Sequence, residues 1–273
     1  MKRLLTGLMF VAAGLIAAAP AWAQKTVTFA YQDMMNPWRW VQQSQEIEKA
    51  TGFKINWRQF GGGGDVIRAM ASGDVQLGEV GSTGVATAIS QGMDVDLFWI
   101  LEDIAAAWGR GDLDATFIWD PVLSNVKKNG KVLMTSGDIC KKGACTFDGL
   151  IVTKKFAKEN PEFMVALVKA LAKADADYRA NPKTWTGDKA KVDAVAKWSG
   201  AKPEDVPDAM ALYGFPSPQE QASPAWLGGG ANGAATKALA QQANFLKEQG
   251  RLTSVAPDFS KNVTTEWVTK AMK

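Results

Sequence analysis

The 273-residue chain contains no histidine, and this absence excludes several classes of function at once. Nucleophilic sites of the Ser-His-Asp and Cys-His types need an imidazole base, and many zinc sites need imidazole ligands. We therefore expect no catalytic triad, no metal site and no cofactor. The formal net charge is only +3 at pH 7, and the basic residues form no cluster, which argues against a nucleic-acid partner.

Cysteine is almost as scarce, because the chain has only two. Cys140 and Cys145 stand in the short segment CKKGAC. In an exported protein we favour a disulfide across this loop, and two free thiols are the alternative. Spacing alone does not decide between them, since a bridge also requires the right Cβ geometry. A metal site built on these two residues has no other soft ligand nearby.

The chain also lacks an apolar run long enough for a comfortable membrane span. Its N-terminal apolar run, Leu4–Ala19, follows three residues with a basic character, Met1–Arg3, and precedes Ala21–Ala23, which has the pattern of a cleavage site. This order is typical of a secretory signal peptide, and we expect cleavage after Ala23. No cysteine follows the cleavage site, so we expect no lipid anchor.

Between Asn56 and Gly92 the order strand, glycine-rich loop, helix occurs twice. The first loop is Gly61–Gly64, after which Asp65 is predicted to open a helix, and the second is Gly81–Gly84. Each helix then begins beside the carboxyl end of a strand, where open α/β sheets bind ligands. The free N–H groups and positive dipole of a helix N-terminus favour small anions. Neither loop matches a nucleotide-binding motif, so ordinary turns of an α/β domain explain the pattern equally well.

Other elements follow from the hydrophobic pattern. Lys25–Tyr31 alternates like a strand, and the following helix is predicted to be capped by Asn36 and to run to about Ala50. Gln32 then lies near the carboxyl end of a strand, within reach of a ligand. A further short strand is predicted over Lys131–Met134.

From Lys155 onward the chain is predicted to be mostly helical. Asn160-Pro161-Glu162 is a strong helix start, and a second helix is predicted over Lys189–Ser199 with Gly200 as its stop. Apolar residues after the first start recur at helical spacing and predict one buried face, formed by Phe163, Leu167, Leu171, Ala174 and Tyr178.

Taken together, these stretches resemble the taurine-binding proteins of bacterial ABC importers, which are related to the receptors for aliphatic sulfonates. The resemblance is collinear from about Thr26 to the C-terminus. The residues that carry it are TVTFAYQ (26–32), WRQFGGGGDVIRAMASGDVQLGEVGST (57–83), AAWGRGDLDATFIWDP (106–121), GKVL (130–133), TFDGLIV (146–152) and ANFLKEQG (243–250).

The resemblance implies an α/β periplasmic binding protein of type II, with two lobes joined by two chain crossovers. Lobe one would comprise residues 24–103 and 146–273, and lobe two residues 104–145. The hinge strands would lie near Ile100–Asp103 and Cys145–Gly149. The protein would be a periplasmic monomer that binds taurine or a related small sulfonate and delivers it to the permease of an ABC importer.

The resemblance also assigns ligand contacts. The glycine loop with Gly63, Gly64 and Asp65 and the helix start at Ser82 and Thr83 would bind the sulfonate, together with Gln32 beside them. Trp119 would line the cleft from lobe two, with Asp120 as a weaker candidate. Asp148 would hold the ammonium group of a zwitterion, because a carboxylate pairs with a cation. Glu79 is a second candidate for the ammonium, and a surface ion pair is its alternative.

One departure from the family stands out near Ile104. Relatives carry a longer segment there, and about 60 residues, roughly half of a small domain, are absent from this chain. The second lobe would therefore be truncated. Two other functions remain open on the sequence alone. One is an enzyme of the same fold related to thiamine-pyrimidine synthesis, for which a catalytic cysteine is expected. The other is a deletion product without a binding role.

Overall fold

The computed structural model describes residues 24–102 and 146–273 and, between them, residues 123, 127, 130–135, 138, 139 and 142. The expected signal peptide at 1–23, Trp119, Asp120, Cys140 and Cys145 lie outside the described residues. The same holds for most of the segment 104–145 that the resemblance assigns to a second lobe. The predictions made for these residues stay predictions.

A five-stranded mixed sheet organises the described residues. Its strands are β1 (Thr26–Tyr31), β2 (Lys54–Gln59), β3 (Leu77–Gly81), β4 (Val95–Glu102) and β5 (Asp148–Thr153). Their spatial order is β2-β1-β3-β5-β4. β1 pairs in parallel with β2 and β3, whereas β5 runs antiparallel to both of its neighbours, β3 and β4. The two strands on either side of segment 103–147 are therefore adjacent in the sheet.

The described helices pack around this sheet. In chain order they are α1 (Trp38–Ser44), α2 (Glu46–Thr51), α3 (Gly63–Ala71), α4 (Ser82–Ser90), α5 (Lys154–Glu159), α6 (Pro161–Ala180), α7 (Pro182–Gly187), α8 (Lys189–Ser199), α9 (Val206–Met210), α10 (Pro218–Ala222), α11 (Ala234–Glu248) and α12 (Glu266–Ala271). Short 3₁₀ turns precede α9, α11 and α12.

The centre of the sheet is almost wholly buried. Every residue of β3 except the last, and every residue of β5 except the last, is buried. Strands covered on both faces are usually continuous apolar runs, and most of these two strands follow that rule. Glu79 on β3 and Asp148 on β5 are charged exceptions at 0% and 2% exposure. A second, smaller apolar cluster joins Met35 to the helices α6–α9.

The long helix α6 confirms the face predicted from its spacing, because all five apolar residues of that face are buried. Pro161 occupies the first turn, where its missing N–H leaves no bond unmade. The Asn160 side chain does not cap the helix and instead donates to the Phe156 carbonyl oxygen at 3.0 Å. The bounds of α8 match the prediction, and Gly200 ends it with a left-handed φ of 74°.

The single helix predicted from Asn36 to Ala50 is wrong, because the chain breaks it at Gln45. This residue adopts a left-handed φ of 56° and separates α1 from α2. Val41 and Ile47 would lie about 120° apart around an unbroken helix, which has 3.6 residues per turn. The break allows both to be buried. Asn36 does not cap α1 through its side chain, and Pro37 takes the cap position.

Two further predictions are corrected. The helix after the first glycine loop begins at Gly63, two residues before Asp65, with Gly62 as its N-cap. Residues 131–134 form no strand, and the side chains of Val132, Leu133 and Met134 are exposed. Strand preference expresses packing against neighbouring strands, and no described strand pairs with this stretch.

Gly149 on β5 tests how tightly β5 packs against the neighbouring antiparallel strand β4. A Cβ there would meet Leu97 Cδ1 at 2.5 Å and the Trp99 carbonyl oxygen at 3.1 Å. Gly149→Ala should lower the free energy of unfolding by about 1–3 kcal/mol, the usual cost of overpacking, and lower the melting temperature by several degrees. Gly187→Ala is the control, because a Cβ at this residue of α7 meets nothing within 4 Å. Equal melting temperatures for the two variants would contradict the packing described here.

Candidate functional site

A cavity of about 570 Å³ opens where β1, β2 and β3 end and β5 begins. Both glycine loops, the start of α4 and the first residue of β5 border it. Its lining comprises Gln32, Met34, Gly61, Gly62, Gly63, Gly64, Ile67, Arg68, Gly81, Ser82, Thr83, Gly84, Thr87, Gln91, Thr146, Asp148, Leu246 and Arg251. Its size lies within the range of roughly 300–1,000 Å³ that is usual for small-molecule sites.

The N-termini of α3 and α4 meet at this cavity because glycine lets them approach. A Cβ on Gly84 would lie 2.5 Å from Val80 Cγ1 and 4.0 Å from the Gly63 Cα, and a Cβ on Gly63 would lie 3.2 Å from the same valine carbon. The side chain of Val80 therefore fills the space between the two helix starts. Two helix dipoles point their positive ends at one region.

Some of the first-turn N–H groups already have acceptors. The Ser82 N–H donates to the Phe147 carbonyl oxygen at 2.8 Å, and the Asp65 N–H donates to the Gly62 carbonyl oxygen at 3.1 Å. Within the part of the chain that the structure describes, the N–H groups of Gly63, Gly64 and Thr83 have no such acceptor. These N–H groups can donate hydrogen bonds to an anion in the cavity.

Asp148 places a carboxyl group in the same cavity, beside the start of α4: it pairs with Gly81 in the strand register, and its Oδ1 would lie 3.2 Å from a Cβ on Gly81. Its carboxylate is buried, and Oδ1 has no hydrogen-bond partner among the described residues. Burial raises the pKa of Asp148 well above its usual range, the carboxylates of Glu79 and Asp33 raise it further, and Arg39 opposes them. A buried acceptor without a donor is unfavourable, so this position is suited to a ligand that brings a donor or a cation.

A buried ion pair stands behind the lining. Arg39 Nη2 lies 2.7 Å and 2.9 Å from the two carboxylate oxygens of Glu79, and neither side chain is exposed. Burial raises the pKa of Glu79 to about 7, although Arg39 acts against this shift. Gln32 is held by the same pair, since its Nε2 donates to the Glu79 carbonyl oxygen at 2.8 Å and its own carbonyl oxygen accepts from Arg39 at 3.0 Å.

The structure brings most of the predicted site residues together at one cavity. Gln32, Gly63, Gly64, Ser82, Thr83 and Asp148 all line it. The Ser82 hydroxyl is already used as an acceptor, because it receives the Phe147 N–H at 3.3 Å. Its main role in this structure is to fix the start of β5 beside the start of α4.

Two predicted residues lie elsewhere. Asp65 is exposed and forms an ion pair with Arg68, its neighbour one turn along α3, so it is not among the lining residues. Glu79 is likewise absent from the lining, because its carboxylate is turned to Arg39. The surface ion pair considered as its alternative is also wrong, since both partners are fully buried. Trp119 lies outside the described residues.

Sequence reasoning missed several lining residues. Thr87 lies one helical turn after Thr83, so the spacing of α4 alone predicts that both share a face. Arg68 and Arg251 add positive charge at the rim, and no local pattern marked them. Leu246 belongs to the segment ANFLKEQG, which carried part of the family resemblance without any role assigned.

The described residues also bear on metals and membranes. They contain no group of three or more histidine, cysteine, aspartate or glutamate side chains placed to hold a metal ion. None of the helices in the described ranges combines the length and the apolar character that crossing a membrane requires.

Comparisons with known proteins match the chain to substrate-binding proteins. Residues 88–199 match the family model of the substrate-binding domain of an ABC-type glycine betaine transport system. The taurine-binding periplasmic protein of Escherichia coli (strain K12) is 30% identical over 301 aligned residues, a comparison that covers 89% of this chain and 92% of that protein.

Solved structures with the same fold include two sulfonate receptors. The aliphatic sulphonate binding protein SsuA from Escherichia coli has a TM-score of 0.66 at 15% identity, covering 89% of this chain and 92% of that chain. The alkanesulfonate-binding protein SsuA from Xanthomonas axonopodis pv. citri bound to MOPS has a TM-score of 0.59 at 16% identity, covering 85% and 96%. These likenesses confirm the α/β binding-protein fold.

The buried carboxyl of Asp148 should make stability depend on pH. Because the pKa of Asp148 is higher in the folded state than in the unfolded state, the folded protein keeps this proton at pH values where the unfolded chain has lost it. The free energy of unfolding therefore falls as pH rises above about 4, by at most ~1.4 kcal/mol per unit for one group. The Asp148→Asn variant has no carboxyl group here and does not lose stability in this way. The free energy of unfolding of the variant, relative to that of the wild type, should therefore increase between pH 4 and pH 7.

Urea denaturation at pH 4, 5.5 and 7 measures this difference. Asp65→Asn is the matched control, because it neutralises an exposed carboxylate on α3. The control should follow the wild type closely at every pH. Parallel curves for the wild type and Asp148→Asn would show that Asp148 is ionised in the ligand-free protein, contrary to the burial observed.

Proposed function

Because the chain belongs to the family of periplasmic taurine-binding proteins of ABC importers, we propose that it binds taurine or a related small sulfonate and delivers it to the permease of such an importer. One observation carries the proposal. The same cavity combines two converging helix N-termini with a buried carboxylate that lacks a partner. The site therefore offers complementary charge to both ends of a small zwitterion.

The two ends of the ligand have different chemical needs. A sulfonate spreads one negative charge over three oxygens, and the free N–H groups of Gly63, Gly64 and Thr83 suit it without a lysine. An ammonium group carries three donors and needs acceptors, which the Asp148 carboxylate supplies as a charge-assisted pair. Gln32 also lines the cavity, held by Arg39 and Glu79. The family resemblance implies the same roles for the glycine loops and for Asp148.

The lobe assignment follows as part of the proposal. Residues 24–103 and 146–273 form lobe one, and residues 104–145 form a shortened lobe two that contributes Trp119 to the cleft. Hinge motion would occur where the chain passes between β4 and β5. The protein acts in the periplasm as a monomer. In support of the shortening, the alignment with the Escherichia coli relative extends over 301 positions, more than the 273 residues of this chain.

The residues that line the site favour binding without catalysis. Apart from Asp148, the lining that the structure describes is formed by glycines, hydroxyl and amide side chains, apolar side chains and two arginines, and the chain contains no histidine base. The cysteine-dependent enzyme and the deletion product without a role both lack a comparable observation in their favour. The family match concerns binding proteins.

Thermal unfolding with and without millimolar taurine tests the function. A ligand at about 100 times its dissociation constant adds roughly 2.7 kcal/mol of stability, which raises the melting temperature by several degrees. Alanine, a zwitterion without a sulfonate, and 2-hydroxyethanesulfonate, a sulfonate without an amine, are the two controls. We expect taurine to stabilise the wild type more than either control. A cooperative transition that taurine does not shift would contradict the proposal.

Gly84→Ala tests the paired helix starts. Its methyl group would overlap Val80 Cγ1 and push the start of α4 away from α3, so affinity for taurine should fall by about tenfold or more. Isothermal titration calorimetry measures the loss. The double variant Gly84→Ala with Val80→Ala removes the overlap and should recover part of the affinity. Unchanged affinity in the single variant would mean that the two helix starts do not share the ligand.

A further inference from the structure

Asp148 differs from Glu79 and Asp65, the two other carboxylates predicted for the site, because each of those has an arginine in contact. Asp148 is as buried as Glu79, yet no described ion pair includes it, and Oδ1 has no hydrogen-bond partner. Away from water, an ionised carboxylate without a partner is less stable than the protonated carboxyl group.

The nearest source of positive charge cannot neutralise it by contact. Each group of the Arg39 guanidinium is already used: Nε donates to the Met34 carbonyl oxygen at 2.9 Å, Nη1 to Gln42 Oε1 at 2.9 Å, and Nη2 to Gln32 and Glu79. Arg39 is therefore fixed on Glu79. Among the described residues no ion pair includes Asp148, so a proton or the cation of a ligand can supply its counter-charge.

We propose that this cavity exchanges a proton for the cation of its ligand: Asp148 carries a proton while the cavity is empty and releases it to solvent when an ammonium group takes its place beside the carboxylate. In this exchange the O–H bond of the carboxyl breaks, water or buffer accepts the proton, and the ammonium keeps all of its own hydrogens. The inference rests on the proposed function, because it needs a cationic ligand group at Asp148.

Two of the three charges that act on Asp148 favour its protonated form. Glu79 on β3 and Asp33, which follows β1, both disfavour a second negative charge, and Arg39 on α1 partly offsets them. Burial is the largest cause of the raised pKa of Asp148. When a neutral zwitterion binds with the loss of one proton, the net charge of the cavity falls by one: the ammonium offsets the Asp148 carboxylate, and the sulfonate faces the helix N-termini.

Isothermal titration calorimetry of taurine in buffers with different enthalpies of ionisation counts the protons exchanged. In a series of pH values the measured heat should vary with the buffer, and the slope should approach one proton released per taurine bound wherever the carboxyl of the empty cavity is protonated. The affinity should rise with pH, by up to about tenfold per unit, until the carboxyl of the empty cavity is ionised.

Two matched measurements separate this exchange from a structural effect. Binding of 2-hydroxyethanesulfonate, which has no cation, should release no proton and should not strengthen with pH. Asp33→Asn removes one of the charges that favour the proton, so the pH at which release is half lost should be lower in this variant than in the wild type.

Different outcomes of these measurements contradict the proton exchange and the proposed function. Taurine binding whose heat is the same in every buffer would overturn the proton exchange and leave the proposed function standing. Proton release with 2-hydroxyethanesulfonate equal to that with taurine would also overturn it, because the release would then not depend on a cation. Absence of taurine binding in calorimetry and in thermal unfolding would overturn both.

Discussion

The buried pair of Arg39 and Glu79 is the interaction on which the site depends. It connects α1 to the central strand β3, and through Gln32 and the Met34 carbonyl oxygen it also fixes the turn that follows β1. Removing both charges from water is costly, and attraction repays that cost only when the remaining donors and acceptors are satisfied. Here the guanidinium meets that condition almost completely. These hydrogen bonds hold the turn after β1 against β3, next to the glycine loops.

This pair also decides what the neighbouring carboxylate does. Two acidic side chains lie on adjacent central strands, and both are removed from water. Glu79 is matched by a fixed arginine and serves the fold, whereas Asp148 lines the cavity and its Oδ1 has no hydrogen-bond partner among the described residues. Two carboxyl groups with such different surroundings usually have different roles. The unfavourable state of Asp148 in the empty protein is the reason that a cation can be held there selectively.

Much of this could be predicted from the sequence, because the signals were local. The apolar face of α6, the bounds of α8 and the two glycine loops depend on spacing and on residues with particular backbone preferences. The family resemblance pointed to Asp148, and the structure places it in the cavity. The position of Glu79 was harder to infer, because its partner Arg39 lies 40 residues earlier in the chain and only the pairing of β1 with β3 brings them together.

The errors have the same origin. The helix after β1 has no residue that forbids continuity at Gln45, and the break is required by the core that Val41 and Ile47 enter. The segment 131–134 has suitable residues for a strand but lacks a described neighbour to pair with. In each case tertiary context overrode a local preference, which is the ordinary limit of reasoning from one sequence.

The sheet topology explains why the described site depends little on the length of the connection between β4 and β5. Segment 103–147 leaves the sheet from β4 and returns in β5, and these strands pair directly, with Glu102 opposite Asp148. The ends of the segment are therefore fixed next to each other by backbone hydrogen bonds, whatever lies between them. The entropy of closing such a connection changes slowly with its length, by only about 0.6 kcal/mol per doubling. Loss of residues between these strands leaves unchanged the helix starts, the ion pair and the carboxylate, all of which belong to the sheet and its own helices.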